Sequence, residues 1–331
     1  MTIATESAPL AAVPIPEIEH RRKQESYEQL VQRLSVQSVR KHYQAYVDVD
    51  WDAPEMQIRK DDARFELPLD GSLGATPWYR SQPQSVRAEI GLTGIVNAMK
   101  MGVVFESVLK RGLLEYADRL PNRSPEFRYA YHEIIEEAQH SLMFQEFVNR
   151  SGLDPGGLRG LQAFGARRVA SFGRLFPELF FFFVLGGEEP IDFEQKQALR
   201  SGQELHPLVR KVMQIHVTEE ARHLCFARNH LQQNVPKLGW FARLRLSIAV
   251  PFILGEMARM MLEPSRSMIR RFAIPAEVVR EAYTDNPEHK RRVRASLASV
   301  AKLCIELGLL TRRNAVVWKT LGLGNPFRYA L

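Results

Sequence analysis

Cysteine is almost missing from this chain: Cys225 and Cys304 are the only two, and no Cys-x-x-Cys pair exists. That excludes a disulfide framework, gives no support to thiolate zinc or iron–sulfur sites, and suits a reducing cytoplasmic compartment. Long hydrophobic runs are missing too. The most apolar stretches, 175–187 and 246–262, are short or interrupted by Pro and Glu. They read as buried helices, not membrane spans, which need about 20 apolar residues. The N-terminus has no basic segment followed by an apolar core, so it does not read as a secretory signal. Gly-x-Gly-x-x-Gly, Gly-x-x-x-x-Gly-Lys-Ser/Thr and aromatic-interleaved basic stretches are all lacking. Nucleotide and nucleic-acid functions therefore get no support. Val-rich alternating segments are scarce, which argues against a sheet.

What remains is an ordinary globular composition of 331 residues, 45% hydrophobic and 25% charged, with a mild excess of 45 Lys+Arg over 38 Asp+Glu. Residues 1–24, rich in Pro, Ala and Glu, read as a mobile arm, and 25–331 as one helical domain with its chemistry in about 85–235. Apolar spacing predicts helices over 26–43, 85–120, 124–150, 158–185, 187–203, 206–233, 239–262 and 288–309. Gly91 and Gly102 are candidate irregularities in the second of these. Ser124-Pro125-Glu126 reads as an N-cap, a first-turn proline and an acid at the positive helix end. Residues 46–82, dense in Pro, Gly and Asp, read as an irregular wrap. The expected fold class is all-α, a helical bundle with additional helices and an irregular N-terminal segment.

A faint internal duplication carries the chemistry. Glu133-Ile-Ile-Glu136-Glu137-Ala-Gln-His140 and His216-Val-Thr-Glu219-Glu220-Ala-Arg-His223 both contain Glu-Glu-x-x-His. Residues three apart on a helix share a face, so Glu137 with His140, and Glu220 with His223, can reach one ion. Two such pairs, plus one Glu from each of two further helices, form the carboxylate-bridged di-iron arrangement of ferritin-like helical bundles, the fold expected here. Carboxylates balance the charge of two metal ions while imidazoles coordinate without adding charge. Glu106 and Glu189 each stand 31 residues before the second Glu of a pair, an interval that suits one antiparallel hairpin. They are therefore the expected upstream ligands. Glu188 has Phe105 as its counterpart, lacks a symmetric mate and is set aside. His216 lies on the stripe of Glu220 and His223, which gives one metal a second imidazole. Glu133, its counterpart, reads as a supporting or surface acid. Glu136 and Glu219 are placed to orient ring N–H groups.

In Glu106, Glu137-Ala-Gln-His140, Glu189 and His216-Val-Thr-Glu-Glu220-Ala-Arg-His223 the chain resembles the p-aminobenzoate N-oxygenase family of non-haem di-iron enzymes, over roughly residues 85–310. The resemblance implies two iron ions per chain, with manganese as an alternative, and an external electron donor. It also implies O2-dependent oxidation of an aromatic amine through hydroxylamine and nitroso stages to a nitro group, and an arginine from the C-terminal helices that binds a substrate carboxylate. Arg294 is the best candidate for that arginine and Arg292 the next. The Phe180–Phe183 run reads as buried helix, with Phe183 a candidate pocket wall. Phe144 stands where related ribonucleotide reductase subunits carry a radical tyrosine, which disfavours that chemistry. A di-iron hydroxylase or desaturase acting on C–H bonds, a ferritin-like metal-binding protein and a metal-free helical interaction protein stay open as alternatives. A homodimer is expected; a nucleic-acid or membrane partner is not.

Overall fold

The computed structural model describes residues 25–158 and 160–329; the expected N-terminal arm lies outside the described residues. Among these residues there is no strand, so the all-α reading holds. The chain runs α1 (Tyr27–Arg40), α2 (Pro77–Arg80), α3 (Gln84–Ala117), α4 (Pro125–Ser151), α5 (Gly160–Leu175), α6 (Pro177–Arg200), α7 (Pro207–Asn234) and α8 (Trp240–Leu262). Shorter helices follow: α9 (Arg266–Arg271), α10 (Ala276–Val279), α11 (Pro287–Ser296), α12 (Ala298–Glu306) and α13 (Ala315–Thr320).

Local chemistry explains most of the ends. Ser26 and Gln29 form a capping box at the start of α1. Pro125 and Glu126 open α4, and left-handed Gly152 (φ 62°) closes it. Ser124 takes the N-cap position, but its hydroxyl donates to the Glu126 carboxylate instead of capping the backbone.

Two helix divisions differ from expectation. The break expected at Gly186-Gly187 falls at Phe176, because Pro177 begins a new helix that then runs unbroken through both glycines and through Pro190. The helix expected over 288–309 is split at Leu297 into α11 and α12. Gly91 and Gly102 interrupt nothing. A Cβ on Gly91 would stand 1.8 Å from the Phe65 carbonyl oxygen, and one on Gly102 would stand 2.8 Å from the Phe144 ring. Both glycines are contact points of a continuous helix.

Helices α3, α4, α6 and α7 surround the centre of the molecule. Helix α5 packs on α3 and α6, α8 on α6, and α1 lies across α4 and α7. The helix with a membrane-like apolar window is α3, not either of the two apolar stretches singled out by composition. It is packed against α4, α5 and α6 and carries the buried Glu106, so it serves as a core helix. Phe180, Phe181 and Phe182 are fully enclosed and Phe183 nearly so, which makes α6 the apolar spine of the core. The irregular segment is strapped onto the bundle. The Ala45 N–H donates to Gln139, the Gln57 carbonyl accepts from His206, and Phe65 stacks on the His206 ring at 4.7 Å.

Candidate metal centre

Eight acid and imidazole side chains meet at the middle of the four central helices, all of them buried: Glu106 from α3; Glu133, Glu137 and His140 from α4; Glu188 from α6; and His216, Glu220 and His223 from α7. Helical periodicity places them there. On α4 the positions 133, 137 and 140 form one stripe, as do 216, 220 and 223 on α7.

The distances sort the carboxylates by reach. Glu137 lies 3.2 Å from His140 Nδ1 and 2.9 Å from His223 Nδ1. Glu220 lies 3.5 Å from His140 Nδ1, 3.1 Å from His223 Nδ1 and 3.7 Å from His216 Nε2. These two acids span the cluster, the position a bridging carboxylate needs. Glu106 and Glu188 flank one side, each 3.9 Å from His216 Nε2, and Glu106 is also 3.9 Å from His140 Nδ1. Glu133 groups with Glu137 and His223 on the other side.

The outer faces of the three imidazoles are held in turn. His140 Nε2 donates to Glu219 at 2.9 Å, and His223 Nε2 donates to Glu136 at 2.7 Å. The support is exchanged: each acid serves the histidine of the other helix, not the one on its own. Arg222 joins the two acids, donating to Glu136 at 2.8 Å and to Glu219 at 3.4 Å, while the Tyr43 N–H donates to Glu219 at 3.1 Å. His216 is turned the other way, with Nδ1 donating to Gln195 at 2.9 Å and Nε2 facing the acids. Each ring thus turns one nitrogen inward to the acids while its outer nitrogen is hydrogen-bonded, the arrangement metal-binding histidines use.

Electrostatics expose the cost of the arrangement. Burial pushes Glu106, Glu133 and Glu188 well above the usual carboxylate range, with neighbouring acids adding to the rise. Burial acts on Glu137 in the same sense, but hydrogen bonds with Glu106 and His140 and the His223 charge hold it well below that range. Burial opposes a proton on His140, yet its bonds to Glu137 and Glu219 raise it to about 9. Burial, with His140 beside it, drives His216 well below its ordinary value.

A metal pair fits these residues. One or more carboxylate oxygens of Glu106, Glu133, Glu137, Glu188 and Glu220 are buried with no hydrogen-bond partner. Unpaired buried acids are costly, and cations would remove that cost. The donor set, mixed carboxylate and imidazole without sulfur, suits iron or manganese.

The structure brings together six of the seven expected ligand residues: Glu106, Glu137, His140, His216, Glu220 and His223. Glu189 does not join them. Its carboxylate is held by Arg228, and the place expected of it is taken by Glu188. The two are neighbours on α6 and point about 100° apart, so only one can face inward. The equal 31-residue intervals therefore do not mark equivalent residues. Glu133 is also inside, fully buried, where a supporting or surface role was expected. Its signal was in the sequence: it stands four residues before Glu137, as His216 does before Glu220. Gln195, Arg222 and Lys110, whose ammonium donates to the Glu137 carbonyl, carried no comparable pattern.

Of the candidate substrate residues, Phe183 stacks on Phe105 at 5.0 Å, next to Glu106 in the chain. Arg292 is engaged by Glu194. Arg294 lies outside the Glu/His cluster, against Gly324, and its Nε is buried without a hydrogen-bond partner. Phe144 packs over the His140 and His216 rings at 6.2 and 5.2 Å.

Among proteins of known sequence, the chain is similar to an uncharacterized protein of Mycobacterium bovis and to two from strains of Mycobacterium tuberculosis. Each is 38% identical over 304 residues, covering 92% of this chain and 89% of the relative. No solved structure gives a significant match. The family model of p-aminobenzoate N-oxygenase AurF matches residues 24–308, and with that match and the buried Glu/His cluster the chain belongs to the AurF family.

Proposed function

We propose that the protein is an O2-dependent di-iron N-oxygenase acting on an aromatic amine. The observation that carries the reading is the buried cluster of three imidazoles and five carboxylates on four bundle helices, with Glu137 and Glu220 in bridging reach. Glu106, Glu133, Glu137, His140, Glu188, His216, Glu220 and His223 would hold two iron ions, which when bound supply O2 activation. Manganese is compatible with the same donors. The first turnover balances as amine plus O2 plus two electrons and two protons, giving hydroxylamine plus water. Further rounds lead through nitroso to nitro. An external carrier supplies the electrons.

The chain's own residues do the rest. Glu136 and Glu219 fix the ring orientation of His223 and His140, and Arg222 holds the two acids in register. Phe105, Phe183 and Phe144 wall the cluster with apolar rings that exclude water. Arg294 is the candidate for a substrate carboxylate, because its Nε is unengaged whereas Arg292 is taken by Glu194.

The test is metal analysis of the reconstituted protein, followed by optical spectroscopy after O2 is added to the reduced form and an arylamine assay. Two irons per chain, an O2-dependent spectral change and a hydroxylamine, nitroso or nitro product support the reading. Oxidation of a C–H substrate with no arylamine product would shift it to the hydroxylase class. A protein that takes up no metal sinks it.

A further inference from the structure

An open groove of about 980 Å³ lies where the C-terminal end of α3, the turn after it, the start of α4 and the end of α5 meet. Its charged lining is unbalanced. Arg111, Arg123, Arg128 and Arg174 face Glu115 and Asp118, and Asp118 is already 3.7 Å from Arg174. Among the described residues Arg111, Arg123 and Arg128 make no ion pair: Arg111 donates to its own helix at the Ser107 carbonyl, and Arg128 to His132. Arg123 sits in the left-handed region (φ 71°) on the turn between α3 and α4 and lines the groove. Between these charges lies an exposed apolar centre. Phe127 and Tyr131 are 47% and 42% exposed with ring centroids 4.7 Å apart, and Leu114 is 44% exposed.

The groove shares two helices with the metal centre. Arg111 is five residues from Glu106 on α3, and Tyr131 is six residues from Glu137 on α4, separations of about 7.5 Å and about 9 Å along the two axes at helical rise. A second surface depression, about 380 Å³ and lined by Tyr43, Leu199, Lys211 and Thr218 among others, carries a single charged residue.

From this charge and position we infer that the groove is the docking surface for the electron donor, a small acidic one-electron carrier protein. The inference rests on the proposed di-iron function. An apolar centre ringed by uncompensated cations matches an acidic rim around an exposed redox centre, and electrostatic attraction governs how fast such partners meet. Two carriers, each oxidised once, deliver the two electrons that take a ferric pair to the ferrous state.

The experiment uses the full-length, iron-loaded protein with a chemically reduced acidic [2Fe–2S] ferredoxin as the probe. Loss of the ferric absorption is followed by stopped flow. Arg123→Glu with Arg128→Glu should slow reduction by the ferredoxin roughly tenfold or more at low ionic strength, and the difference should close towards about 0.5 M salt. Reduction by dithionite and iron content should stay unchanged. Arg312→Glu with Arg313→Glu, exposed cations elsewhere, should leave the ferredoxin rate alone. Should the first pair lose iron, Arg111→Glu with Arg174→Glu replaces it; loss of iron in both pairs shows that these side chains serve the fold and overturns the assignment. Equal ferredoxin rates in wild type and groove variant also overturn it, as does an equal slowing by the distant pair, while iron content and dithionite reduction leave the di-iron reading intact. Failure of the wild-type protein to hold iron sinks the di-iron reading, and this inference with it.

Discussion

One residue's rotation around α6 decides which of two consecutive acids serves the centre. Glu188 faces the imidazoles, and Glu189 faces Arg228. Glu188→Gln is therefore expected to lower the iron content of the reconstituted protein from two per chain towards one. Glu189→Gln should keep both irons and lose at most about 1 kcal/mol of stability, because its partner Arg228 is over a third exposed and stays hydrated. Elemental analysis beside thermal melting checks both, and the reverse pattern would return Glu189 to the ligand set.

His230 gives a prediction independent of metal. It is packed between Phe181 and Phe226, and burial, helped by Lys237 and Arg119, pushes it down to about 3. The unfolded chain, with an ordinary value near 6.5, then binds a proton that the folded chain refuses between about pH 6.5 and 3. Stability is full above that window and falls as pH drops through it, by about 2 kcal/mol at pH 5 from this group alone. His230→Gln should flatten the melting temperature between pH 7 and 4. An unchanged slope would show that His230 is charged in the native state.

At the level of elements, the centre depends on how closely α6 approaches α3. A Cβ on Gly187 would stand 2.1 Å from the Phe105 ring, which stacks on Phe183 and precedes Glu106. Gly187→Ala must displace that ring, and overpacking of this kind costs about 1–3 kcal/mol. The expected outcome is a lower melting temperature together with weaker iron retention, because Glu106 and Glu188 are carried on the two displaced surfaces. A melting temperature at or above wild type would show that the helices part without strain. The exchanged support between α4 and α7 makes a second prediction. Glu219→Gln should weaken iron binding about 10–100-fold through His140, which lies on the other helix, as judged by chelator competition. No change would mean that the outer bond does not orient the ring.

For the whole molecule, the centre is a cluster of buried acids enclosed by four long helices, and its metal-free form carries unpartnered carboxylate oxygens in the interior. Binding of iron to the folded chain alone should stabilise it by about 2.7 kcal/mol at a free concentration 100 times the dissociation constant. The melting temperature should rise by several degrees on anaerobic addition of ferrous iron and return on chelation. Equal melting temperatures with and without metal would show that the centre does not couple to folding.

The all-α fold and most of the centre can be read from the amino-acid sequence, for one physical reason. Helical periodicity makes a spacing of three or four residues a statement about a shared face. Glu137 with His140, and His216 with Glu220 and His223, are placed by that spacing alone. The same rule holds the clue to Glu133, which sits one turn before Glu137. What periodicity cannot do is set the rotation of one helix against another. The choice of Glu188 over Glu189, the exchange of Glu136 and Glu219 between histidines, and the roles of Arg222 and Gln195 all depend on that rotation. It is set by packing between residues distant in the chain, such as the Phe105 ring against Gly187. Local spacing thus dictates the helices and the kinds of ligand they offer. Tertiary packing selects which carboxylates face inward, because only the assembled bundle settles which side of each helix is the inside.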